Sequence, residues 1–217
     1  MAKRAEGDRS AKPWVPESTR LPVLREAAAR CEGCDLYLRA TQVVFGAGPA
    51  RAVIMLVGEQ PGDREDLEGV PFVGPAGALL GKALEEAGIP LARAYVTNAV
   101  KHFSWEPRGK RRIHKKPRAS EVRACRPWLE AEIAAVRPRV IVCLGATASQ
   151  SLLGASFKLT AARGRVLEQQ IGGAAVVATI HPSAVLRAPD HEARDAAFAS
   201  LVADLKVATR AGSVGSG

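Results

Sequence analysis

The chain has 217 residues, of which 47% are hydrophobic and 24% charged, and its formal net charge is +9 at pH 7. These values predict one globular domain and exclude a wholly disordered chain, because the aliphatic content is too high for disorder. No apolar run approaches the roughly 20 residues of a membrane span, and no apolar N-terminal stretch suggests a secretory signal, so we expect a cytoplasmic protein whose positive charge favours a nucleic-acid partner.

The predicted elements alternate between helices and strands along the chain. A polar, proline-containing extension over 1–17 is expected to be disordered, a single domain covers 18–209, and a flexible tail covers 210–217. Apolar periodicity and unbroken apolar runs predict five helices and four strands. The helices cover 19–30, 76–87, 120–136, a short segment after Gly145, and 190–208, and the strands cover 52–57, 94–97, 139–144 and 174–180. A further segment, 165–169, has the character of an edge strand. This alternation predicts a three-layer α/β/α sandwich around a mostly parallel four-stranded sheet.

The positive charge is concentrated in one segment. Residues 101–118 contain eight Lys or Arg against one Glu, and their prolines and glycine predict a loop. Such a loop is either a solvated, mobile surface or a contact to phosphates. The candidate DNA-binding side chains are Lys110, Arg111, Arg112, Lys115 and Lys116.

The four cysteines suggest a metal or cluster site. Cys31 and Cys34 have the two-residue gap of a metal-binding knuckle. Cys125 and Cys143 form no second knuckle, which argues against a simple zinc site and favours an iron–sulfur cluster, because a cluster accepts thiolates spread along a chain. For Cys143 the alternative is a small buried hydrophobe in a strand.

Polar residues follow the predicted strands. In parallel sheets the ligand lies outside the carboxyl ends of the strands, so the residues directly after each strand matter most. They are residues 58–62 (GEQPG), Asn98, Gly145 and residues 181–183 (HPS). We therefore expect these segments to meet at one edge of the sheet and to form the site.

Five segments in chain order resemble the uracil-DNA glycosylase superfamily over about residues 20–208. Residues 57–62 (VGEQPG) resemble its first motif, 69–74 (GVPFVG) its base-stacking loop, 97–101 (TNAVK) its asparagine segment and 181–184 (HPSA) its second motif. The four cysteines resemble the cluster ligands of family four, the iron–sulfur branch. The resemblance implies a [4Fe-4S] cluster and uracil-containing DNA as the substrate.

Two features depart from family four. That family usually has Ala where Gln60 stands, and it lacks the long insert that contains Lys110, Arg111, Arg112 and His114. Both features resemble the X-type branch of the superfamily. This resemblance implies that the protein becomes covalently joined to uracil-DNA through the loop histidine, His114. We therefore expect a single-turnover glycosylase, because His114 stays covalently bonded to the DNA.

The resemblance also implies how a flipped uracil is recognised. Phe72 stacks on the base, the Asn98 amide pairs with uracil O4 and N3–H, and His181 donates to uracil O2. Backbone N–H groups of Gly58 and Gln60 help to stabilise the leaving anion. The alternatives are a core aromatic for Phe72, a turn residue for Asn98 and a capping residue for His181.

The capture of the sugar is the step on which the alternatives differ. Gln60 is an amide and cannot act as a base, so Glu59 is the only carboxylate of the first motif. If the His114 imidazole attacks first, Glu59 accepts the proton of the other ring nitrogen or fixes the tautomer, while Arg112 and Lys110 anchor the loop to phosphates or to Glu59. The other hypotheses are an ordinary turnover family-four glycosylase and a non-catalytic iron–sulfur nucleic-acid-binding module. We expect a monomer that prefers single-stranded DNA.

Overall fold

The computed structural model describes residues 9–213. Its α-helices are α1 Leu21–Ala28, α2 Asp63–Glu68, α3 Pro75–Glu86, α4 Ala119–Val136, α5 Ala146–Leu153, α6 Leu159–Ala162, α7 Pro182–Leu186 and α8 His191–Ser213. Its strands are β1 Ile54–Gly58, β2 Ala94–Asn98, β3 Trp105–Arg108, β4 Arg111–His114, β5 Val140–Leu144, β6 Val166–Ile171 and β7 Ala174–Thr179. Short 3-10 helices cover Lys12–Trp14, Asp35–Leu38 and Leu91–Arg93.

The central sheet has the strand order β2-β1-β5-β7-β6. The first four of these strands are parallel, and β6 runs antiparallel to β7. The predicted α/β fold with a mostly parallel sheet is confirmed, but the sheet has five strands instead of four. The fifth strand is β6, which includes most of the segment 165–169 that suggested an edge strand. Its apolar pattern in the sequence is weak because most of its side chains are exposed.

Alternate residues of each buried strand enter two separate cores. In β1, Met55 and Val57 pack with the apolar faces of α1 and α4, whereas Ile54 and Leu56 pack with those of α3 and α8. Helices therefore cover both faces of the sheet, which is why these strands have continuous apolar runs. The two layers leave the carboxyl ends of β1, β2, β5 and β7 at a common edge.

The basic segment is not the loop that the sequence predicted. It forms the antiparallel hairpin β3–β4, in which Trp105 pairs with His114 and Pro107 with Arg112. Gly109 lies in the turn with φ of 61°, a backbone conformation that glycine adopts without steric cost. The hairpin holds His114 at the end of a strand, a fixed position that a loop would not provide.

The described part of the N-terminal extension is ordered, in contrast to the disorder expected for 1–17. The Ala11 N–H donates to the Ala124 carbonyl of α4 at 2.7 Å, and Ala11 is buried at 1% exposure. Helix α8 continues to Ser213, so the predicted flexible tail begins as helix. Residues 1–8 and 214–217, the rest of these two predictions, lie outside the described residues. Across 9–213, every helix is too short or too polar to cross a bilayer.

Candidate active site

A cavity of about 820 Å³ opens at the carboxyl edge of the sheet. Its lining includes most of the side chains that the strand-end argument and the resemblance singled out: Glu59, Gln60, Phe72, Asn98, His114, Lys116 and His181. The hairpin side chains Lys110, Arg111, Arg112 and Lys115 lie outside this lining. The topology thus brings residues from five segments of the chain to one place.

Gly58 lies where two side chains of the cavity converge. A β-carbon on Gly58 would be 2.3 Å from Asn98 Oδ1 and 2.8 Å from Phe72 Cζ, closer than real Cβ contacts allow. The two backbones are also bonded here, since the Ala99 N–H donates to the Gly58 carbonyl at 2.9 Å. The absence of a side chain at Gly58 therefore allows the Asn98 amide and the tip of the Phe72 ring to meet in one narrow slot.

Phe72 has an unusual backbone conformation, with φ of 58°. Such strain in a non-glycine residue persists only where the surroundings hold it. Helix α3 approaches this backbone so closely that a β-carbon on Gly77 would overlap the Phe72 carbonyl. The Phe72 ring lies nearly parallel to the His181 ring, with centroids 6.3 Å apart and an angle of 29° between the planes. The strained position thus directs the ring along the cavity wall.

His181 is held as a neutral hydrogen-bond donor. Burial, together with the positive charges of Arg187 and His114, lowers its pKa to about 4. The Ser183 backbone N–H donates to Nδ1 at 3.1 Å, so the proton of the neutral ring is on Nε2. An imidazole in this tautomer offers one N–H to an electronegative atom in the cavity.

Gln60 joins β1 to the hairpin. The Ser104 N–H donates to Oε1 at 2.9 Å, and Nε2 donates to the Ser104 carbonyl at 3.2 Å and to the Lys115 carbonyl at 3.0 Å. These bonds fix the orientation of the amide. Gln60 Nε2 also lies 2.8 Å from His114 Nε2, but its two hydrogens are already directed at the two carbonyls, so this contact positions the imidazole without assigning its tautomer.

His114 lines the cavity, with its Nε2 atom close to the first motif. The Glu59 carboxylate Oε1 lies 3.5 Å from the same nitrogen, while its Oε2 accepts a short hydrogen bond from the Thr147 hydroxyl. The expected role of Glu59, as proton acceptor or as the group that fixes the His114 tautomer, stays a prediction. Thr147 was missed by the sequence analysis, because a threonine after Gly145 gives no signal beyond its place at a strand end.

Arg112 anchors the hairpin to helix α2. Its guanidinium lies 2.6 Å from Asp63 Oδ1 and 2.6 Å from Oδ2 of Asp66, which is fully buried. Phosphates or Glu59 were the partners predicted for Arg112 from the sequence, and neither aspartate was predicted. Their i, i+3 spacing on one helix face is the signal that could have found them. Lys110 and Arg111 lie at the exposed end of the hairpin.

All four cysteines lie within the described residues and are buried free thiols. Burial raises the pKa of Cys34 to about 11 and that of Cys125 to about 12, and both are raised further by the charge of Cys31. Backbone N–H groups of Gly33 and Lys101 donate to Cys31 Sγ and Cys125 Sγ. These three cysteines are therefore neighbours, and their N–H···S bonds suit thiolate ligands. The pKa of Cys143 is raised to about 12 by burial alone.

The cysteine side chains are not arranged as the ligands of a single metal ion. Among residues 9–213, no three or more His, Cys, Asp or Glu side chains are arranged to hold one metal ion. Cys143 lies in the middle of the sheet, where it pairs with Val57 and Ala178. The structure thus makes Cys31, Cys34 and Cys125 neighbours, and it places Cys143 in β5 within the same buried cluster.

Comparison with known proteins gives consistent similarities. The model of the uracil DNA glycosylase superfamily matches residues 45–206. The type-4 uracil-DNA glycosylase of Thermotoga maritima is 39% identical over 175 residues, which cover 80% of this chain and 87% of the relative. The enzymes of the same name from Archaeoglobus fulgidus and Pyrobaculum aerophilum are 39% and 38% identical; they cover 77% and 78% of this chain, and 83% and 86% of their own length is matched.

Proposed function

This chain belongs to the uracil-DNA glycosylase superfamily and shares its function in DNA repair, and we propose that its cavity accepts a flipped uracil and breaks the N-glycosidic bond. The observation that carries the proposal is the slot above Gly58, where the Asn98 amide and the Phe72 ring meet. A pyrimidine needs a stacking face and a partner for its pairing edge, and this slot offers both.

Bond cleavage leaves negative charge on the uracil and positive charge on the sugar. The neutral His181, with its proton on Nε2, is placed to donate to uracil O2 as that charge develops. A donor already held by Ser183 needs no reorganisation during the reaction. The Asn98 amide, with both a donor and an acceptor, pairs with N3–H and O4.

The names of the relatives fit an ordinary turnover enzyme, in which water captures the sugar. One observation favours a second candidate, capture by the protein itself. His114 lines the cavity, with its Nε2 atom 2.8 Å from Gln60 Nε2 and 3.5 Å from Glu59 Oε1. Gln60, as an amide, cannot activate water as a general base.

We propose that this chain follows the second route, in which the protein itself captures the sugar. The bond between the sugar C1′ and uracil N1 breaks, and its electron pair leaves with the uracil anion. The lone pair of His114 Nε2 forms a new bond to C1′, which transfers the positive charge to the ring, and Nδ1 then releases its proton to water. Glu59, held by Thr147, stabilises the cationic sugar and ring. The product is an N-alkyl imidazole, which makes the protein a single-turnover enzyme.

The experiment is denaturing electrophoresis of protein boiled after incubation with uracil-containing single-stranded DNA. We expect a heat-resistant complex for the native chain and for the control His191→Ser, whose histidine is exposed on α8. His114→Ser should lose the complex and release free uracil with abasic DNA, since water can enter the vacated space. Turnover by the native chain without a complex would reject capture but keep glycosylase function. If the native chain forms neither the complex nor free uracil, both capture and glycosylase function are rejected.

Uracil-containing DNA is the substrate that follows from the superfamily. We propose a preference for single strands and a monomeric state. Excision rates on matched single-stranded and double-stranded uracil oligonucleotides test the first, and equal rates would reject it. The mass of the protein in solution tests the second, and a dimer would reject it.

We also propose an iron–sulfur cluster, supported by the grouped thiols of Cys31, Cys34 and Cys125 with their N–H···S bonds. The cluster would hold the N-terminal segment, α4 and the residues after β2 together. Anaerobically purified protein should be brown and contain about four irons per chain. Cys31→Ser should lower iron content and soluble yield. Cys143→Ser tests the fourth predicted ligand, which is rejected if the iron content stays complete.

A further inference from the structure

A buried ion pair lies directly behind the asparagine of the slot. Lys101 and Glu132 are 1% and 0% exposed, and Lys101 Nζ lies 2.5 Å from Glu132 Oε2. Burying two charges costs desolvation energy, and an apolar pair of similar volume is often as stable. Stability alone therefore does not explain why this position uses charges.

The hydrogen bonds of the pair are saturated. The three donors of the Lys101 ammonium reach Glu132 Oε2, Thr97 Oγ1 at 2.7 Å and the Asn98 carbonyl at 2.7 Å. Glu132 Oε1 accepts from the Gly46 N–H and from the Tyr95 hydroxyl, each at 2.9 Å. A fully connected network of this kind fixes the position of each member.

Two of these contacts fall on the last two residues of β2. The Thr97 hydroxyl also donates to Glu132, and the ammonium holds the carbonyl of Asn98 itself. The next peptide groups are tied to the first motif, since the N–H groups of Ala99 and Val100 donate to the carbonyls of Gly58 and Glu59. The backbone that carries the Asn98 side chain is thus held from both sides.

We propose that Lys101 and Glu132 are positioning residues that aim the Asn98 amide at the uracil edge. The inference rests on the proposed uracil recognition by Asn98. A misplacement of about 1 Å at a reacting group lowers rates about 100-fold. No aliphatic side chain at position 101 can hold the Asn98 carbonyl, so the charged pair has a function that an apolar pair lacks.

The central test is the single-turnover rate of uracil release by Lys101→Met at saturating protein. We expect a loss of about 10- to 100-fold, with unchanged affinity for uracil-free single-stranded DNA. In an Asn98→Ala background, Lys101→Met should have no further effect, because the amide it aims is gone. A merely structural residue would instead lower the rate by the same factor in both backgrounds.

Tyr95→Phe is the matched control. It removes one donor to the same Glu132 carboxylate but leaves the bond from Lys101 to the Asn98 carbonyl. We expect lower stability with an unchanged excision rate. The double variant Lys101→Met/Glu132→Gln removes both buried charges but keeps an oxygen that can accept from Gly46 and Tyr95. It is used if the single variant does not fold; it should fold and still release uracil slowly. Iron content is measured throughout, because the Lys101 N–H also contacts Cys125.

The outcomes separate this inference from the proposed function. If the native chain releases no uracil, the proposed function fails, and this inference fails with it. If the native chain releases uracil and Lys101→Met does so at the native rate, only the positioning role is overturned. The same holds if Lys101→Met slows release equally with and without Asn98.

Discussion

Gly58 controls the width of the slot, because Asn98 Oδ1 and Phe72 Cζ both approach the position of its missing side chain. In Gly58→Ala the new methyl group must displace one or both of them. We expect uracil release to fall by about 100-fold. Gly81→Ala, where an added β-carbon meets nothing within 4 Å, is the control. A native rate in Gly58→Ala would show that the slot does not hold the base.

Individual residues differ in how far the sequence predicts them. Asn98 and His181 follow buried strands, so their meeting at one edge follows from parallel topology. Lys101 was grouped with an exposed basic segment, because its burial depends on a carboxylate that comes 31 positions later in the sequence. Cys143 was grouped with the other cysteines because the four resemble the cluster ligands of family four, with a buried hydrophobe in a strand as the alternative, and it lies inside β5.

The hairpin is the main element that sequence reasoning missed, together with the short helices α2, α6 and α7. Its prolines, glycine and dense charge are typical of a loop, and β3 and β4 are mostly exposed, so no apolar alternation marks them. Tertiary contacts stabilise it instead: Arg112 bonds α2, and the Trp105 indole donates to the Arg39 carbonyl. Helices and buried strands were predicted well because their cores impose regular apolar patterns.

Asp66 should determine how firmly the hairpin presents His114. Its carboxylate is buried and pairs with Arg112 at 2.6 Å. Asp66→Asn should slow formation of the heat-resistant complex by about tenfold or more, because His114 loses its fixed position. In the His114→Ser background the same change should leave uracil release nearly unchanged.

Asp63→Asn is the matched control for this prediction. The Asp63 side chain is 50% exposed, and exposed ion pairs contribute little, so its effect on complex formation should be smaller. Equal effects of the two changes would contradict the anchoring role of the buried carboxylate. The measurement is the time course of the boiled complex at fixed DNA concentration.

At the scale of the whole molecule, the net charge of +9 predicts salt-sensitive binding to DNA. Lys115 and Lys116 are exposed, and Lys116 lines the cavity. Lys115→Glu/Lys116→Glu should weaken binding to uracil-free single strands, and each lost phosphate contact should reduce the salt slope by about 0.7. Lys206→Glu/Arg210→Glu, on exposed positions of α8, has the same charge change and is the control. Equal losses in both variants would indicate general attraction without a defined binding face.

The two buried histidines make the stability of the whole fold dependent on pH. Burial lowers the pKa of both His102 and His181 to about 4, from a reference value of 6.5. Between these values the unfolded chain binds protons that the folded chain does not, so acid favours unfolding, and stability rises again toward neutral pH. The expected loss between pH 7 and pH 5 is about 2 kcal/mol for each histidine.

Urea unfolding at pH 7 and pH 5 measures this loss. His102→Gln and His181→Asn should each reduce the difference between the two pH values by about 2 kcal/mol relative to the native chain. Carboxylates titrate in the same range, but they are common to all the proteins compared, so the histidine contribution remains in the difference. His191→Gln, at the exposed start of α8, serves as the control for the loss of a histidine. An unchanged difference in His102→Gln would mean that this ring is already protonated in the folded protein.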